Sequence, residues 1–291
     1  MSDKLHIDLH MHSTVSDGTN TPVEILKIVR EAGIDLFSLT DHDAFLGCKD
    51  ILEHLGPSDP AFITGVEFSC RDDKGKYHIL GYGYDPDSRP IREMIEKGHG
   101  FRMKKTKARL DFIAEAYGFT FTDDEVRDLL SLNNPGKPHI ANLMVKHGYA
   151  KNKEQAIDEY IDQKHFGSSY IKPQEAIQSI LESGGIPVLA HPWYGSGNEL
   201  IIGEDMNERL EYLMGFGIQG VEAFYSGFAP RLQRNMLNLA ERYDLFVTAG
   251  SDYHGSNKLI EIGENHLDEA EEWPDGLIRF IETVNKHNYR S

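Results

Sequence analysis

Seven short apolar runs recur along this chain, and most of them carry a histidine or a carboxylate at or next to their last residue. They are HIDLHMH, DLFSLTDH, AFITGVEF, YHILGYG, IPVLAHP, GVEAFY and LFVTAGSDYH. Their β-branched and aromatic residues predict strands, and their near-continuous apolarity predicts burial on both faces. In the first run, alternation sets Ile7, Leu9 and Met11 on one face and Asp8, His10 and His12 on the other. Helical patterns lie between several runs. In TPVEILKIVREAG, Thr21 caps, Pro22 takes the first helical position, Gly33 stops the helix, and Val23, Leu26, Ile28 and Val29 form the apolar stripe. KPQEAIQSILESGG repeats the design with Pro173 and Gly184, and RLQRNMLNLAERYDL is a third helix. Alternating strands and helices predict an α/β fold with a parallel sheet or barrel, and 291 residues suffice for a large core.

The polar strand ends carry the chemistry. His10 and His12 end the first strand, Asp41 and His42 the second, and Glu67 the third. His78 lies in the fourth, His191 ends the fifth, and Asp252 and His254 follow the seventh. In a parallel barrel these ends share one face, where active sites are built. One buried histidine is usually a core residue bonded to a carbonyl. Five or more such groups, buried together and unpaired, carry a prohibitive cost. Bound metal ions remove it, because imidazoles donate and carboxylates neutralise.

HxH at His10 and His12, SDG at Ser16–Gly18, TDHD at Thr40–Asp43, GVE at Gly65–Glu67, AHP at Ala190–Pro192 and GSDYH at Gly250–His254 together resemble the polymerase and histidinol phosphatase (PHP) domain family. The subgroup resembled is the stand-alone phosphoesterases, including nucleoside 3′,5′-bisphosphate phosphatases and 5′–3′ exoribonucleases of short RNA. The resemblance implies a distorted (β/α)7 barrel with a helical insertion: a barrel over residues 1–98 and 171–291, and an insertion over 99–170 capping its mouth. It implies two or three divalent ions. His10, His12, Glu67 and Asp252 would hold the first, and Glu67 would bridge to a second with His78 and His191. Asp17, His42 and His254 would hold a third. Some relatives carry His where this chain has Asp17; a carboxylate suits a harder ion and a more exchangeable site. Asp41 would orient His42.

A mixed His and carboxylate shell leaves Mn, Fe and Zn open. Such a cluster binds phosphoryl oxygens and aligns a bridging water for in-line attack. No serine has a clear histidine partner, so no covalent nucleophile stands out; His254, Asp252 and a metal-bound water are the candidate leaving-group acids. The implied substrate is a small phosphorylated metabolite, foremost a nucleotide such as a nucleoside 3′,5′-bisphosphate. The alternatives are an exonuclease on short oligonucleotides and a histidinol-phosphatase-like enzyme for sugar or amino-alcohol phosphates. A C–N hydrolase of a related barrel predicts a lysine at a strand end, and no run ends in one. A non-catalytic scaffold predicts missing ligands, and every position is filled.

The insertion is helical in character, and Thr122 with Glu125 predicts a capping box. From Gly98 to Leu110 it carries Arg102, Lys104, Lys105, Lys107 and Arg109 and no acid. Arg102, Lys105 and Arg109 share one helical face. Arg102, with Lys137 and His139 of GKPH, is the candidate grip on a second phosphate, Lys137 standing where the family has Arg and lacking its bidentate fork. The net charge of −17 speaks against long nucleic acid as partner. Two cysteines, no apolar leader and no long apolar run predict a reduced, cytoplasmic protein off the membrane. Oligomeric state is not encoded legibly.

Overall fold

A computed structural model describes residues 5–132, 134–164, 166, 170–196 and 199–286. Seven strands form one sheet in sequence order: β1 (Ile7–Asp8), β2 (Leu36–Leu39), β3 (Ala61–Arg71), β4 (Lys76–Tyr82), β5 (Ile186–Leu189), β6 (Gly220–Tyr225) and β7 (Phe246–Gly250). The first strand returns to the last: the Leu9 N–H donates to Ala249 O at 2.9 Å, and the His12 N–H to Tyr253 O at 2.8 Å. The sheet thus curls into a nearly closed barrel. Gly250 permits this seam, because a Cβ there would collide with His10 Cβ.

The barrel is not wholly parallel. β4 runs antiparallel to both β3 and β5, while the other pairings are parallel. β3 and β4 are joined by the four residues Asp72–Gly75, too few for a crossover helix, so the chain makes a hairpin. The consequence is functional. His78 lies near the start of β4, and only an antiparallel strand brings that end to the mouth formed by the ends of the others.

Around the sheet lie α1 (Pro22–Glu31), α2 (Leu46–His54), α3 (Arg89–Tyr117), α4 (Asp123–Ser131), α5 (Lys137–Lys146), the one-turn α6 (Lys153–Gln155), α7 (Pro173–Glu182), α8 (Glu204–Met214), α9 (Pro230–Arg242) and α10 (Asp275–Lys286). In α1 the capping box of Thr21 and Glu24 forms, but the buried face is Pro22, Ile25, Leu26 and Val29. Val23, expected in the stripe, is exposed. The capping box of Thr122 and Glu125 opens α4.

Three apolar clusters form. The largest joins Ile7 and Leu9 to β3–β7 and to Leu277, Phe280 and Ile281 of α10. A second packs Met11 against α1 and α2. The third holds α3 to α5 through Leu110, Ile113, Leu129, Ile140 and Met144. Helix α3 is continuous across residues 98 and 99, so it belongs to the barrel at one end and to the third cluster at the other. Cys48 and Cys70 are buried and unpaired. No described helix is long and apolar enough to cross a membrane.

Candidate metal centre

Glu67, expected to end the third strand, is buried within β3, which continues to Arg71 in the hairpin with β4, and it is the hub. Its Oε2 lies 3.4 Å from His10 Nε2, 3.1 Å from His12 Nε2 and 3.1 Å from His42 Nδ1. Its Oε1 lies 2.9 Å from His78 Nδ1 and 3.3 Å from His191 Nε2. Asp252 Oδ1 is 3.5 Å from His10 Nε2 and 3.4 Å from His12 Nε2. Asp17 Oδ1 stands 3.3 Å from His254 Nε2, and its Oδ2 3.8 Å from His42 Nε2. Nine side chains from across the sequence therefore meet at one mouth. Three compact donor groups can be drawn: His12, Asp17, His42 and His254; His10, His12 and Glu67; and His42, Glu67 and His78. His12, His42 and Glu67 are each shared between two of them, so the donors do not divide into three separate sets.

The arrangement fits divalent ions. His10 Nε2, His12 Nε2, Asp17 Oδ1, His42 Nδ1 and His191 Nδ1 are buried without a hydrogen-bond partner among the described residues. Such orphans are costly unless something binds them. Two donors about 2.1 Å from one ion sit roughly 3.0–3.5 Å apart, the spacing seen between most of these pairs. Three of the residues at the centre, Asp43, His191 and Asp252, also hold left-handed backbone with φ of 47°, 27° and 59°. Strain of that kind persists only where the surroundings impose it.

The charges are mutually dependent. Burial opposes charge on Glu67, but His78, His42 and His10 outweigh it and hold the carboxyl well below its usual range. Burial opposes charge on His10 too, yet Glu222, Glu67 and Asp252 raise it well above an ordinary imidazole. The same balance, with Asp252 and Glu67, lifts His12 to about 9. Burial prevails at His42, which falls well below.

Supporting groups fix the ring orientations. Glu222 Oε1 meets His10 Nδ1 at 2.9 Å, and Glu222 Oε2 accepts the His191 N–H at 2.8 Å. His254 Nδ1 lies 2.8 Å from Asp252 O, leaving Nε2 turned to Asp17. Tyr225 OH donates to Asp252 Oδ2 at 3.0 Å, and Lys258 Nζ pairs with the same oxygen. Asp8 binds Ser251 through its N–H and hydroxyl. Asn134 donates to His42 O. Asp41, expected to orient His42, does otherwise: it accepts from the Ser13 N–H and the Ser13 and Ser16 hydroxyls at 2.8, 2.7 and 2.6 Å, fixing the turn that carries Asp17. Its short side chain is spent on that turn. Glu222, Tyr225, Asn134 and Lys258 went unread in the sequence, whereas Asp8 had been placed on the face of His10 and His12. A signal existed for Glu222, since GVE recurs at Gly220–Glu222 as at Gly65–Glu67.

A cleft of about 360 Å³ opens beside the centre, lined by Asp17 and His78 and, from the helical segment, by Arg102, Lys105, Arg109 and Lys137. Arg102 gives its Nε–H to Asp43 at 2.6 Å and an Nη2 hydrogen to Ser69 Oγ at 2.7 Å. Lys137 is paired with Asp162 at 2.6 Å. His139 does not line the cleft; its Nδ1 accepts the Gly136 N–H at 3.1 Å at the start of α5.

A 5′–3′ exoribonuclease of Haemophilus influenzae is 27% identical over 263 residues, covering 89% of this chain and 93% of that protein. A phosphoribosyl 1,2-cyclic phosphate 1,2-diphosphodiesterase of Eggerthella lenta is 28% identical over 268 residues, with 85% and 94% covered. A 3′,5′-nucleoside bisphosphate phosphatase of Chromobacterium violaceum is 28% identical over 259 residues, with 86% and 87% covered. A solved structure from Bifidobacterium adolescentis, assigned as a metal-dependent phosphoesterase, superposes with a TM-score of 0.81 at 27% identity over 96% of both chains. Residues 8–286 match the PHP domain, and this chain belongs to the PHP domain family.

Proposed function

We propose that this protein hydrolyses a phosphate monoester on a small nucleotide, with a nucleoside 3′,5′-bisphosphate as the matching substrate. Its class is metal-dependent phosphoric ester hydrolase, the class of its family and relatives. The observation that carries the substrate reading is the cleft, which pairs the His and carboxylate cluster with a cationic wall in a chain of net charge −17. Its volume suits a small ligand.

His10, His12, Asp17, His42, Glu67, His78, His191, Asp252 and His254 are the proposed ligands of two or three ions, with Mn, Fe and Zn all compatible with the donors. Such ions supply Lewis acidity for phosphoryl oxygens and a low pKa for water. The chain's own residues do the rest. Glu222 and the Asp252 carbonyl hold the Nδ1 protons of His10 and His254, so that each ring turns a lone pair inward. Asp252 stays ionised: burial works against it, but Lys258 and His10 hold its carboxyl well below the usual range. That state suits a ligand rather than a proton donor, and leaves the leaving-group acid open. Arg102, braced by Asp43 and Ser69, lines the cleft beside the cluster. Phe101 and Tyr170 also line the cleft, and their rings support a second reading, a nuclease that stacks the bases of short RNA.

The test compares kcat/KM for a nucleoside 3′,5′-bisphosphate, the matching 3′-monophosphate, a short RNA and an aryl phosphate with added Mn. The bisphosphate is expected to lead, and His10→Ala to abolish turnover. Full activity in His10→Ala would sink the ligand assignment, and faster turnover of RNA would put the nuclease first.

A further inference from the structure

Besides Lys76 of β4, four cations line the cleft from the helical segment, Arg102, Lys105, Arg109 and Lys137, and these four are not equivalent. Arg102 is matched by Asp43 and Lys137 by Asp162. Lys105 and Arg109, four residues apart on α3, have no carboxylate within ion-pair distance among the described residues. Lys105 Nζ lies over the ring of Tyr170, 3.4 Å from its centroid. Arg109 Nε is buried and has no acceptor among the described residues. Burial depresses both cations, and they repel one another through the same space. Asp162 attracts Arg109 but is already bonded to Lys137. A half-buried pair of positive charges without a counter-charge costs stability. Such a cost marks a place where a ligand supplies the missing charge.

We infer that Lys105, Arg109 and the Tyr170 hydroxyl form a second anion site, which binds a phosphate of the substrate other than the one cleaved. This rests on the phosphoesterase reading and relocates the grip expected at Arg102, Lys137 and His139. The donor set selects the ligand class. An ammonium, a guanidinium edge and a phenol O–H together match a dianion with several acceptor oxygens better than a carboxylate. Position agrees. Arg102, in the middle of α3, is tied to Asp43 beside the metal centre, and Arg109 lies seven residues further, roughly 10 Å along the axis at 1.5 Å per residue. One substrate spanning the cleft thus meets the cluster at one end and this pair at the other. The source of the phosphate is either a small bisphosphate or the backbone of a short oligonucleotide.

Adenosine 3′,5′-bisphosphate, adenosine 3′-monophosphate and a 5′-phosphorylated trinucleotide are the probes, with wild type, Lys105→Met and Arg109→Gln each loaded with Mn. In wild type the site gives the bisphosphate, or the trinucleotide, at least a tenfold advantage in kcat/KM over the monophosphate. Each variant should cut that advantage about tenfold, since charge-assisted hydrogen bonds are lost. The favoured probe identifies the source. The ligand-free variants should melt no lower than wild type, because an uncompensated cation has gone; a structural role predicts a lower Tm. An advantage unchanged in both variants overturns the site while leaving the phosphoesterase reading intact. If wild type turns over no phosphate ester, that reading fails, and equilibrium titration with adenosine 3′,5′-bisphosphate still decides the site. Binding at least tenfold weaker in Arg109→Gln supports it; equal affinity refutes it.

Discussion

Glu222 governs the centre without belonging to its donor groups. One oxygen takes the Nδ1 side of His10 and the other the backbone N–H of His191, so a single carboxylate sets one ring and one strained turn. Glu222→Gln keeps the shape but turns one acceptor into a donor facing the His191 N–H. Groups that orient ligand histidines typically govern 10- to 100-fold in metal affinity. The variant should therefore bind Mn or Zn about that much more weakly, read by competition with a chromophoric chelator. Unchanged affinity would remove Glu222 from the centre. The residue was hidden for a physical reason. GVEAFY reads as a buried strand, and a carboxylate in such a strand is explained only by the groups facing it.

At the scale of elements, the hairpin and the barrel seam matter most. The reversal at β4 delivers His78 from the start of its strand, which a count of strand ends does not anticipate. The seam depends on Gly250. A Cβ there would strike His10 and come within 2.6 Å of Glu222 Oε1. Neither neighbour can retreat, since each is fully buried. Gly250→Ala should destabilise the fold by about 1–3 kcal/mol, the usual range for overpacking. It should also weaken metal binding, because His10 must shift. Denaturant unfolding and metal titration of the variant check both, and a variant with native stability and affinity would contradict the close approach of β1 and β7.

For the whole molecule, metal loading and folding are linked. In the metal-free protein, surrounding carboxylates hold protons on His10 and raise His12 to about 9. Groups raised in this way stabilise the fold fully below the unfolded value near 6.5, and the contribution fades as pH rises toward 9. Ions displace those protons, so loading is weaker at low pH. Adding Mn to chelator-stripped protein should raise Tm, by the equivalent of about 2.7 kcal/mol at a hundredfold excess over Kd. The increment should grow from pH 5.5 to pH 8, measured by calorimetry; a pH-independent increment would contradict proton displacement. The sequence by itself determined the alternation of strands and helices, the capped helices and the residues that meet at the mouth. Apolar runs and caps are local, and strand ends of like direction must share a face. Only the tertiary structure decided the direction of β4, the partners of Asp41, and the separation of neutralised Arg102 and Lys137 from uncompensated Lys105 and Arg109. The task of a charged side chain is set by the groups that face it, here from a residue 212 positions away, as between His10 and Glu222.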